Sequence, residues 1–248
     1  MNESKPNNFE ELSNNNSNQN QVNLSNEGLQ QEDEVERVCL PEIGSPAPKF
    51  TAMTTFGRRS LTDYRGSWLV FFSHPGDFTP VWTTEFIAFA EAYDEFQRLD
   101  TELLGLSIGS LQSHLAWVYD IYQETGVEIP FPITVDLSMQ IAKQYGMIQQ
   151  ATSNTSTVRA VFIIDPRGIV RAINYYPLEV GRSTEEILRL VKALQTADRF
   201  EVGTPANWQP GEPVVVPPPS TYQQLIRRVE NPPSDWNCID WYLCFKDL

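Results

Sequence analysis

The chain has 248 residues, of which 41% are hydrophobic, so it is long enough to bury one large core or two small ones. Its formal net charge of −14 argues against nucleic acid and anionic membrane surfaces as partners. No apolar stretch approaches the roughly 18 residues of a membrane span, and the N-terminus lacks the basic and apolar regions of a secretory signal. With three cysteines and two histidines, we expect a reducing, cytoplasmic location, no disulfide framework, no metal and no cofactor.

The N-terminal segment, residues 1–42, differs in composition from the rest of the chain. Its first 31 residues include ten Asn and four Gln, with almost no aliphatic side chains. Such a segment cannot bury enough surface to offset the entropy of ordering it, so we predict a disordered, acidic tail. A solubilising role without a specific partner is the simplest interpretation. Cys39 lies in this tail and is interpreted as an incidental thiol.

Strand and helix patterns alternate through residues 43–200. The first predicted elements are an extended stretch over 49–55, a turn at 56–58, a buried strand over 67–73, a helix over 83–100, a strand over 103–108, a helix over 111–125, a strand over 131–135 and a short helix over 139–145. Two strands over 158–164 and 169–176 follow, joined by a hairpin signal, and then a helix over 185–195. This order predicts an α/β layer sandwich with a mixed central sheet.

The last segment, residues 201–248, changes in composition again. Prolines at 205, 210, 213 and 217–219 predict an extended arm. The arm contains a short predicted helix over 222–229 and an aromatic-rich end that carries Cys238 and Cys244. It has too few apolar residues to form a core of its own.

The segment from Phe72 to Phe86 carries the chemistry, and it reads F-S-H-P-G-D-F-T-P-V-W-T-T-E-F. It runs from a buried strand through a Pro-containing loop into a helix. Backbone N–H groups at a helix N-terminus favour negative charge, so a cysteine there would have a lowered thiol pKa and act as a nucleophile. The segment resembles the peroxiredoxin active-site motif, Pro-x-x-x-Thr-x-x-Cys, in the form found in the long, one-cysteine-type branch. Fourteen of the fifteen positions fit, and the exception is Trp82, at the position of the peroxide-reducing cysteine.

The resemblance extends from about Gly44 to Cys244. It implies a thioredoxin-like layer sandwich over residues 43–200 and a dimerisation arm with resolving cysteines over 201–248. It also implies a thiol-dependent peroxidase that reduces hydrogen peroxide and organic hydroperoxides and is regenerated by a thioredoxin-like reductant. The implied assembly is a homodimer, with the arm reaching across the partner subunit, and a ring of dimers such as a decamer.

The resemblance further implies a role for each motif residue. Thr79 would hydrogen-bond the attacking sulfur and the peroxide. Arg159 would hold the sulfur as thiolate and stabilise charge on the departing oxygen, while Pro75 would shield the site from water. Glu85 would orient an arginine. His74 would either touch the sulfur or serve as a structural histidine, and the sequence leaves both roles open.

Two cysteines near the C-terminus are candidates for a second chemical step. An oxidised cysteine becomes a sulfenic acid, which a second thiol can attack. Cys244 is the first candidate for that resolving thiol and Cys238 the second, and the alternative is that both are small buried hydrophobic residues. A lipase-like Gly-x-Ser-x-Gly found in some long-branch relatives is absent, because Arg65 and Leu69 flank Ser67 at the glycine positions. We therefore predict no phospholipase activity.

The residue at position 82 determines whether the chain, with this sequence, can reduce peroxides. An indole has no nucleophilic electron pair for a peroxide oxygen, so we expect the chain to be inactive as a peroxidase. Three explanations remain open: an engineered replacement, a selenocysteine codon misread as Trp, and a natural pseudo-enzyme. The alternative function is a non-catalytic oligomer that acts as a chaperone or binding scaffold.

Because an indole is bulkier than a thiol, we expect Trp82 to turn out of the pocket or to hold the first helical turn partly unwound.

Overall fold

The structure, a computed structural model, describes residues 40–248. Most of the predicted tail, including Cys39, lies outside the described residues. The strands are β1 (Thr51–Thr54), β2 (Gly57–Ser60), β3 (Trp68–Ser73), β4 (Thr101–Ser107), β5 (Ile133–Val135), β6 (Arg159–Ile164), β7 (Val170–Tyr176), β8 (Val214–Val216), β9 (Trp236–Asp240) and β10 (Leu243–Lys246). The helices are α1 (Pro80–Glu91), α2 (Tyr93–Arg98), α3 (Leu111–Thr125), α4 (Gln140–Gln144), α5 (Thr184–Phe200) and α6 (Tyr222–Glu230). Within this range no helix combines the length and apolar composition needed to cross a membrane.

A seven-stranded sheet forms the centre of the structure, with the strand order β2-β1-β5-β4-β3-β6-β7. Strands β3, β4 and β5 are parallel, whereas β6 is antiparallel to β3 and β7 is antiparallel to β6. The hairpin β1–β2 adds two antiparallel strands at the other edge. The sheet is therefore mixed, as the alternation of elements in the sequence predicts.

Strand β3 lies inside the sheet, between β4 and β6, and is buried along its whole length. Val70 and Phe72 face a core shared with α1, α3 and α5, whereas Leu69 and Phe71 face a second core that includes residues of α4. Successive side chains point to opposite faces of a strand, so a strand covered on both faces has a continuous apolar sequence. The carboxyl end of β3 leads into the Phe72–Phe86 motif, which places that motif at the edge of the buried core.

The predicted helix over 83–100 is wrong in both its start and its continuity. Helix α1 begins at Pro80, because proline suits the first helical position and Thr79 supplies an extended N-cap backbone. The helix then breaks at Ala92, whose ψ of −3° departs from helical geometry. The break starts a second helix, α2, which buries Phe96 in the core.

The arm contains more structure than the predicted extended chain with one short helix. Strands β8, β10 and β9 form a separate antiparallel sheet. The start of the arm packs on the end of α5 through a small cluster of Ala193, Val202, Trp208 and Val214. Helix α6 is present as predicted, and it buries none of its residues. Proline content alone did not indicate the second sheet, because short strands with few residues give a weak sequence signal.

Candidate functional site

The loop after β3 brings the motif to the N-terminus of helix α1. Thr79 is the N-cap residue, and its hydroxyl donates a hydrogen bond to the Gly76 carbonyl over 3.0 Å. The backbone N–H of Thr83 donates to the Thr79 carbonyl over 3.0 Å, so the first helical turn is closed. Pro75 is half-buried in the loop, and its carbonyl accepts a hydrogen bond from the Ser156 hydroxyl.

Trp82 is fully buried in the first turn of α1. Its ring stacks on the imidazole of His74, with 4.3 Å between ring centroids and 11° between planes, and it contacts Phe86 at 4.5 Å. The guanidinium carbon of Arg182 lies 4.6 Å from the centroid of the indole. The expectation that Trp82 turns outward or unwinds the helix is therefore wrong. The surrounding aromatic side chains provide an apolar environment for the indole.

Glu85 lies one turn after Trp82 on α1. Its carboxylate contacts two buried arginines, Arg159 and Arg182. Arg182 donates to it three times, from the backbone N–H at 2.7 Å, from Nε at 2.8 Å and from Nη2 at 3.0 Å. The remaining nitrogen of Arg182, Nη1, donates to the carbonyls of Ser73 and Ala160. Burial lowers the pKa of Arg182 below its ordinary value, while Glu85 acts in the opposite direction. Glu85 thus contacts two buried arginines, and its role in orienting an arginine stays a prediction.

Arg159 is the first residue of β6, and its side chain is 2% exposed. Its Nε lies 3.4 Å from Oε2 of Glu85, a separation that makes an ion pair without hydrogen-bond geometry. Among residues 40–248, neither Nε nor Nη1 of Arg159 has a hydrogen-bond acceptor, and the same is true of the buried Nε1 of Trp82. The site therefore combines Trp82, Glu85, Arg159 and Arg182 in a buried group that is rich in N–H donors.

A second buried group is centred on Asp77 of the motif loop. Asp77 accepts hydrogen bonds from Nε2 of His74 at 3.1 Å, from Nδ1 of His114 at 2.8 Å and from the Ser113 hydroxyl at 2.6 Å. Both imidazoles are fully buried. Asp77 therefore fixes the orientation of His74, the ring that stacks on Trp82.

The burial of this group shifts its titration. Burial lowers the pKa of His74 to about 4, against the opposing effect of Asp77, so the imidazole is neutral near neutral pH. Burial alone would raise the pKa of Asp77, but hydrogen bonds from His114, His74 and Ser113 outweigh it, and that pKa is far below its ordinary range. The carboxylate is thus ionised between two imidazoles.

The same three side chains are the one group of potential metal ligands among the described residues. The donor atoms of His74, Asp77 and His114 all lie within 4.8 Å of one another. Each of these atoms is already used in a hydrogen bond between members of the group. The arrangement is accounted for by hydrogen bonding, and the expectation of no metal stays a prediction.

The two C-terminal cysteines form a pair. Cys238 on β9 lies opposite Cys244 on β10, and a disulfide bond joins them. Cys244 is fully buried and Cys238 is half-buried. Among residues 40–248, strands β9 and β10 make no hydrogen bond, ion pair or aromatic contact with helix α1. One chain alone does not bring Cys244 into contact with position 82, so their roles as resolving residues remain predictions.

Three buried residues of the site were not singled out from the sequence. Arg182 and His114 bind the motif residues Glu85 and Asp77 across separations of 97 and 37 residues, and Asp77 lies in the motif itself. Arg182 had a signal, since Gly181-Arg182 lies in a stretch that matches the family. His114 had only the weak signal of being one of two histidines in the chain.

Comparison with protein-family models gives two matches along the chain. Residues 43–173 match the model described as the AhpC/TSA family. Residues 193–231 match the model of the C-terminal domain of 1-Cys peroxiredoxin.

Individual relatives and solved structures agree with these matches. Peroxiredoxin 2 of Caldanaerobacter subterraneus is 59% identical over 214 residues, which cover 86% of this chain and 96% of that protein. Peroxiredoxin of Aquifex aeolicus is 52% identical and is matched over its full length, with 86% of this chain covered.

Two solved structures align with the described chain. One is yeast mitochondrial 1-Cys peroxiredoxin, from a study of thiol resolution by glutathione and thioredoxin systems. It aligns with a TM-score of 0.75 and 39% identity, covering 84% of this chain and 100% of that one. A cysteine-to-serine mutant of peroxiredoxin 6 of Arenicola marina aligns with a TM-score of 0.74 and 33% identity, covering 83% and 97%. The fold is therefore the thioredoxin-like one of these proteins, with the arm as a C-terminal extension.

Proposed function

Because this chain belongs to the peroxiredoxin family, we propose that it is the scaffold of a thiol-dependent peroxidase for hydrogen peroxide and organic hydroperoxides. The finer part of the proposal is that Trp82 occupies the nucleophile position, so the chain as written does not turn over. One observation carries it: within residues 40–248 the buried Nη1 of Arg159 has no hydrogen-bond acceptor, and Arg159 shares the carboxylate of Glu85, one turn after position 82, with Arg182. A thiolate or selenolate at that position would supply the missing negative charge, whereas an indole does not.

The chemistry follows from an anionic sulfur or selenium at position 82. The anion attacks one oxygen of the peroxide, the O–O bond breaks, and the other oxygen leaves as hydroxide or alkoxide and takes up a proton. Sulfur is oxidised to a sulfenic acid and the peroxide is reduced. Arg159 stabilises the charge on the departing oxygen. The Thr79 hydroxyl donates its proton to Gly76, so its oxygen can accept a hydrogen bond from the peroxide. Pro75, half-buried in the same loop, shields the site from water.

The sulfenic acid is then removed by a second thiol. In this proposal Cys244 attacks it and releases water, forming a disulfide with position 82 of a partner subunit, with Cys238 as the second candidate. The observed Cys238–Cys244 bond must be reduced before Cys244 can act. A thioredoxin-like protein is the proposed reductant.

The assembly proposed for this step is a homodimer, and beyond it a ring of dimers. Helix α6 supports the dimer, because its apolar residues Tyr222, Leu225, Ile226 and Val229 lie at helical spacing and none of them is buried within the chain. An arm that crosses to the partner subunit would cover this face.

The origin of Trp82 has three explanations, which the gene can separate. A UGA codon at position 82 supports a misread selenocysteine, a Cys codon in the natural gene supports an engineered replacement, and a UGG codon supports a natural pseudo-enzyme.

Peroxide consumption distinguishes the proposed peroxidase from the alternative function, a non-catalytic chaperone or binding scaffold. Protein expressed from its native gene, in a host that inserts selenocysteine at UGA, should consume hydrogen peroxide in the presence of a thiol reductant. Consumption no faster than that of heat-unfolded protein would favour the chaperone or binding scaffold.

A further inference from the structure

A cleft of about 510 Å³ opens between the start of strand β1 and the segment that leads from the end of β5 into helix α4. Phe50 and Ile141 line it and belong to the second core, on the face of the sheet opposite to the core that holds Trp82. Small-molecule sites are clefts of roughly 300–1,000 Å³, and in sheets with parallel strands they often lie at the carboxyl ends of those strands. The cleft has the size and the location of a ligand site separate from position 82.

Asp136, the residue after β5, lines this cleft and is 3% exposed. Its Oδ2 accepts a hydrogen bond from the backbone N–H of Ala142 over 2.7 Å, and its Oδ1 makes a long contact of 3.4 Å with the hydroxyl of Ser138, which lines the same cleft. Burial raises the pKa of Asp136 above its ordinary value, although backbone N–H groups at the start of α4 act in the opposite direction. The hydrogen bonds that cap α4 therefore do not fully compensate the carboxylate for its burial.

Asp136 differs in its partners from the other buried carboxylates of the described chain. Glu85 pairs with two arginines, Asp165 pairs with two others, and Asp77 binds two histidines. Within residues 40–248, no basic side chain forms an ion pair with Asp136. A buried carboxylate is costly without a counter-charge. Because Asp136 also lines an open cleft, a bound molecule can supply that counter-charge.

The other walls of the cleft are largely apolar. They include Phe50, Ala52, Met53, Leu137 and Ile141. Met53 is 47% exposed and Leu137 is 65% exposed, so apolar side chains reach the mouth of the cleft. Lys49 is the one basic residue that lines it, and Lys49 is exposed to solvent. The cleft thus combines a buried negative charge with apolar walls that extend to the surface.

We propose that this cleft binds a small organic cation, whose primary ammonium group pairs with Asp136 and whose apolar body packs against Phe50 and Leu137. The ammonium group supplies the positive charge and the N–H donors that the carboxylate lacks, and charge-assisted hydrogen bonds of this kind are the stronger ones in proteins. The site lies on the opposite face of the sheet from Trp82, so binding of the cation does not depend on peroxide reduction.

Calorimetric titration of the full chain at neutral pH with three matched probes tests the charge of the ligand. The probes are 4-bromophenethylamine, the neutral 2-(4-bromophenyl)ethanol and the anionic 3-(4-bromophenyl)propanoate. We expect the amine to bind with a dissociation constant of about 1 mM or below, and the alcohol to bind at least about tenfold more weakly. Equal binding of the amine and the alcohol, or tighter binding of the propanoate, would overturn the proposal.

Substitutions locate the binding. Asp136→Asn keeps an oxygen acceptor for the N–H of Ala142 but removes the charge, so it should weaken amine binding at least about tenfold and leave alcohol binding unchanged. Asp120→Asn removes the same charge from an exposed position on α3 and should leave amine binding unchanged. Lys49→Gln should not weaken amine binding, since Lys49 has the charge of the ligand. Undiminished amine binding in Asp136→Asn, or an equal loss in Asp120→Asn, would contradict the site.

A direct measurement on the unmodified chain does not depend on the folding of any variant. Crystals soaked in 4-bromophenethylamine should show an anomalous bromine peak in the cleft, with the ammonium nitrogen within about 3.2 Å of the Asp136 carboxylate. Bromine found only outside the cleft, or an ammonium group directed away from Asp136, would overturn the proposal.

Discussion

Trp82 has two kinds of neighbour, and they favour different side chains. His74 and Phe86 present aromatic faces that accept its rings. The Arg182 guanidinium presents positive charge, which an indole face attracts weakly and cannot neutralise. The position therefore tolerates tryptophan by shape, while the surrounding charge favours an anion.

His74 makes the stability of the fold depend on pH. Its pKa is about 4 in the folded chain and about 6.5 when exposed, because burial disfavours the charged imidazole. The folded state thus binds fewer protons than the unfolded state between these values. Above about pH 6.5 the imidazole is neutral in both states and protonation costs the fold nothing. As the pH falls towards 4, protonation of His74 in the unfolded chain stabilises that state, so the free energy of unfolding falls. We expect the free energy of unfolding to drop by up to about 3 kcal/mol over this window, measured by urea unfolding.

The variant His74→Gln separates this effect from other acid titrations. Glutamine does not titrate, so the variant should be less stable at neutral pH but should lose less of its stability as the pH falls. In the folded chain Asp77 titrates below this window, since hydrogen bonds from His114, His74 and Ser113 hold its pKa far down. A pH slope in His74→Gln as steep as that of the parent would show that another group is responsible.

Gly109 lies so close to the His114–Asp77 contact that no side chain fits at this position. A Cβ atom at this position would lie 2.8 Å from Cε1 of His114 and 3.0 Å from Oδ2 of Asp77. Since both neighbours are fixed by hydrogen bonds, we expect Gly109→Ala to lower the free energy of unfolding by about 1–3 kcal/mol. Gly76→Ala is the matched control, because nothing lies within 4 Å of its added Cβ. Denaturant unfolding that gave equal losses for both variants would argue against the contact.

At the scale of elements, the β9–β10 hairpin is expected to supply the resolving thiol. In a Cys39→Ser background, the Trp82→Cys chain treated first with reductant and then with hydrogen peroxide should form a disulfide-linked dimer on a non-reducing gel. Adding Cys244→Ser should abolish this dimer, whereas Cys238→Ser should preserve it. A dimer of undiminished intensity in the Cys244→Ser chain would exclude Cys244 as the sole resolving residue.

Helix α6 is the element on which the proposed dimer depends. Val229 is 58% exposed and Tyr222 is 74% exposed, although both belong to the apolar face of the helix. We expect Val229→Asp to weaken the dimer by about tenfold or more, because a charge would be buried at the interface. Gln223→Asp adds the same charge on the polar face and should have little effect. Light scattering over a range of micromolar concentrations measures both, and a parent chain that is strictly monomeric there would refute the dimer.

For the molecule as a whole, the sequence predicted what depends on local patterns. The continuous apolar run of β3, the loop with Pro75 and Thr79, and the N-terminus of α1 near Trp82 were all placed within a few residues. The alternation of strands and helices was enough to predict a mixed sheet in an α/β sandwich.

The features that the sequence did not predict depend on contacts between distant residues. Glu85 and Arg182 are 97 residues apart, and Asp77 and His114 are 37 apart, so no local pattern joins them. The arm sheet pairs β8 with β10 across a long connection, and each strand is too short to show a period. Trp82 was predicted to be too large for its site. Its ring neighbours His74 and Phe86 lie in the same motif, but they pack against the indole only through the folded conformation of the loop and helix, which no local pattern shows.

Peroxide reduction by the Trp82→Cys chain tests the central claim most directly. Hydrogen peroxide loss is followed with a thiol reductant for the parent, for Trp82→Cys and for Trp82→Ser, which is nearly the same size as cysteine but lacks the reactive sulfur. We expect Trp82→Cys to react at least about 100-fold faster than the other two, because only its side chain forms a thiolate near Arg159. A folded Trp82→Cys chain that consumed peroxide no faster than Trp82→Ser would contradict the claim that this scaffold is built for a nucleophile at position 82.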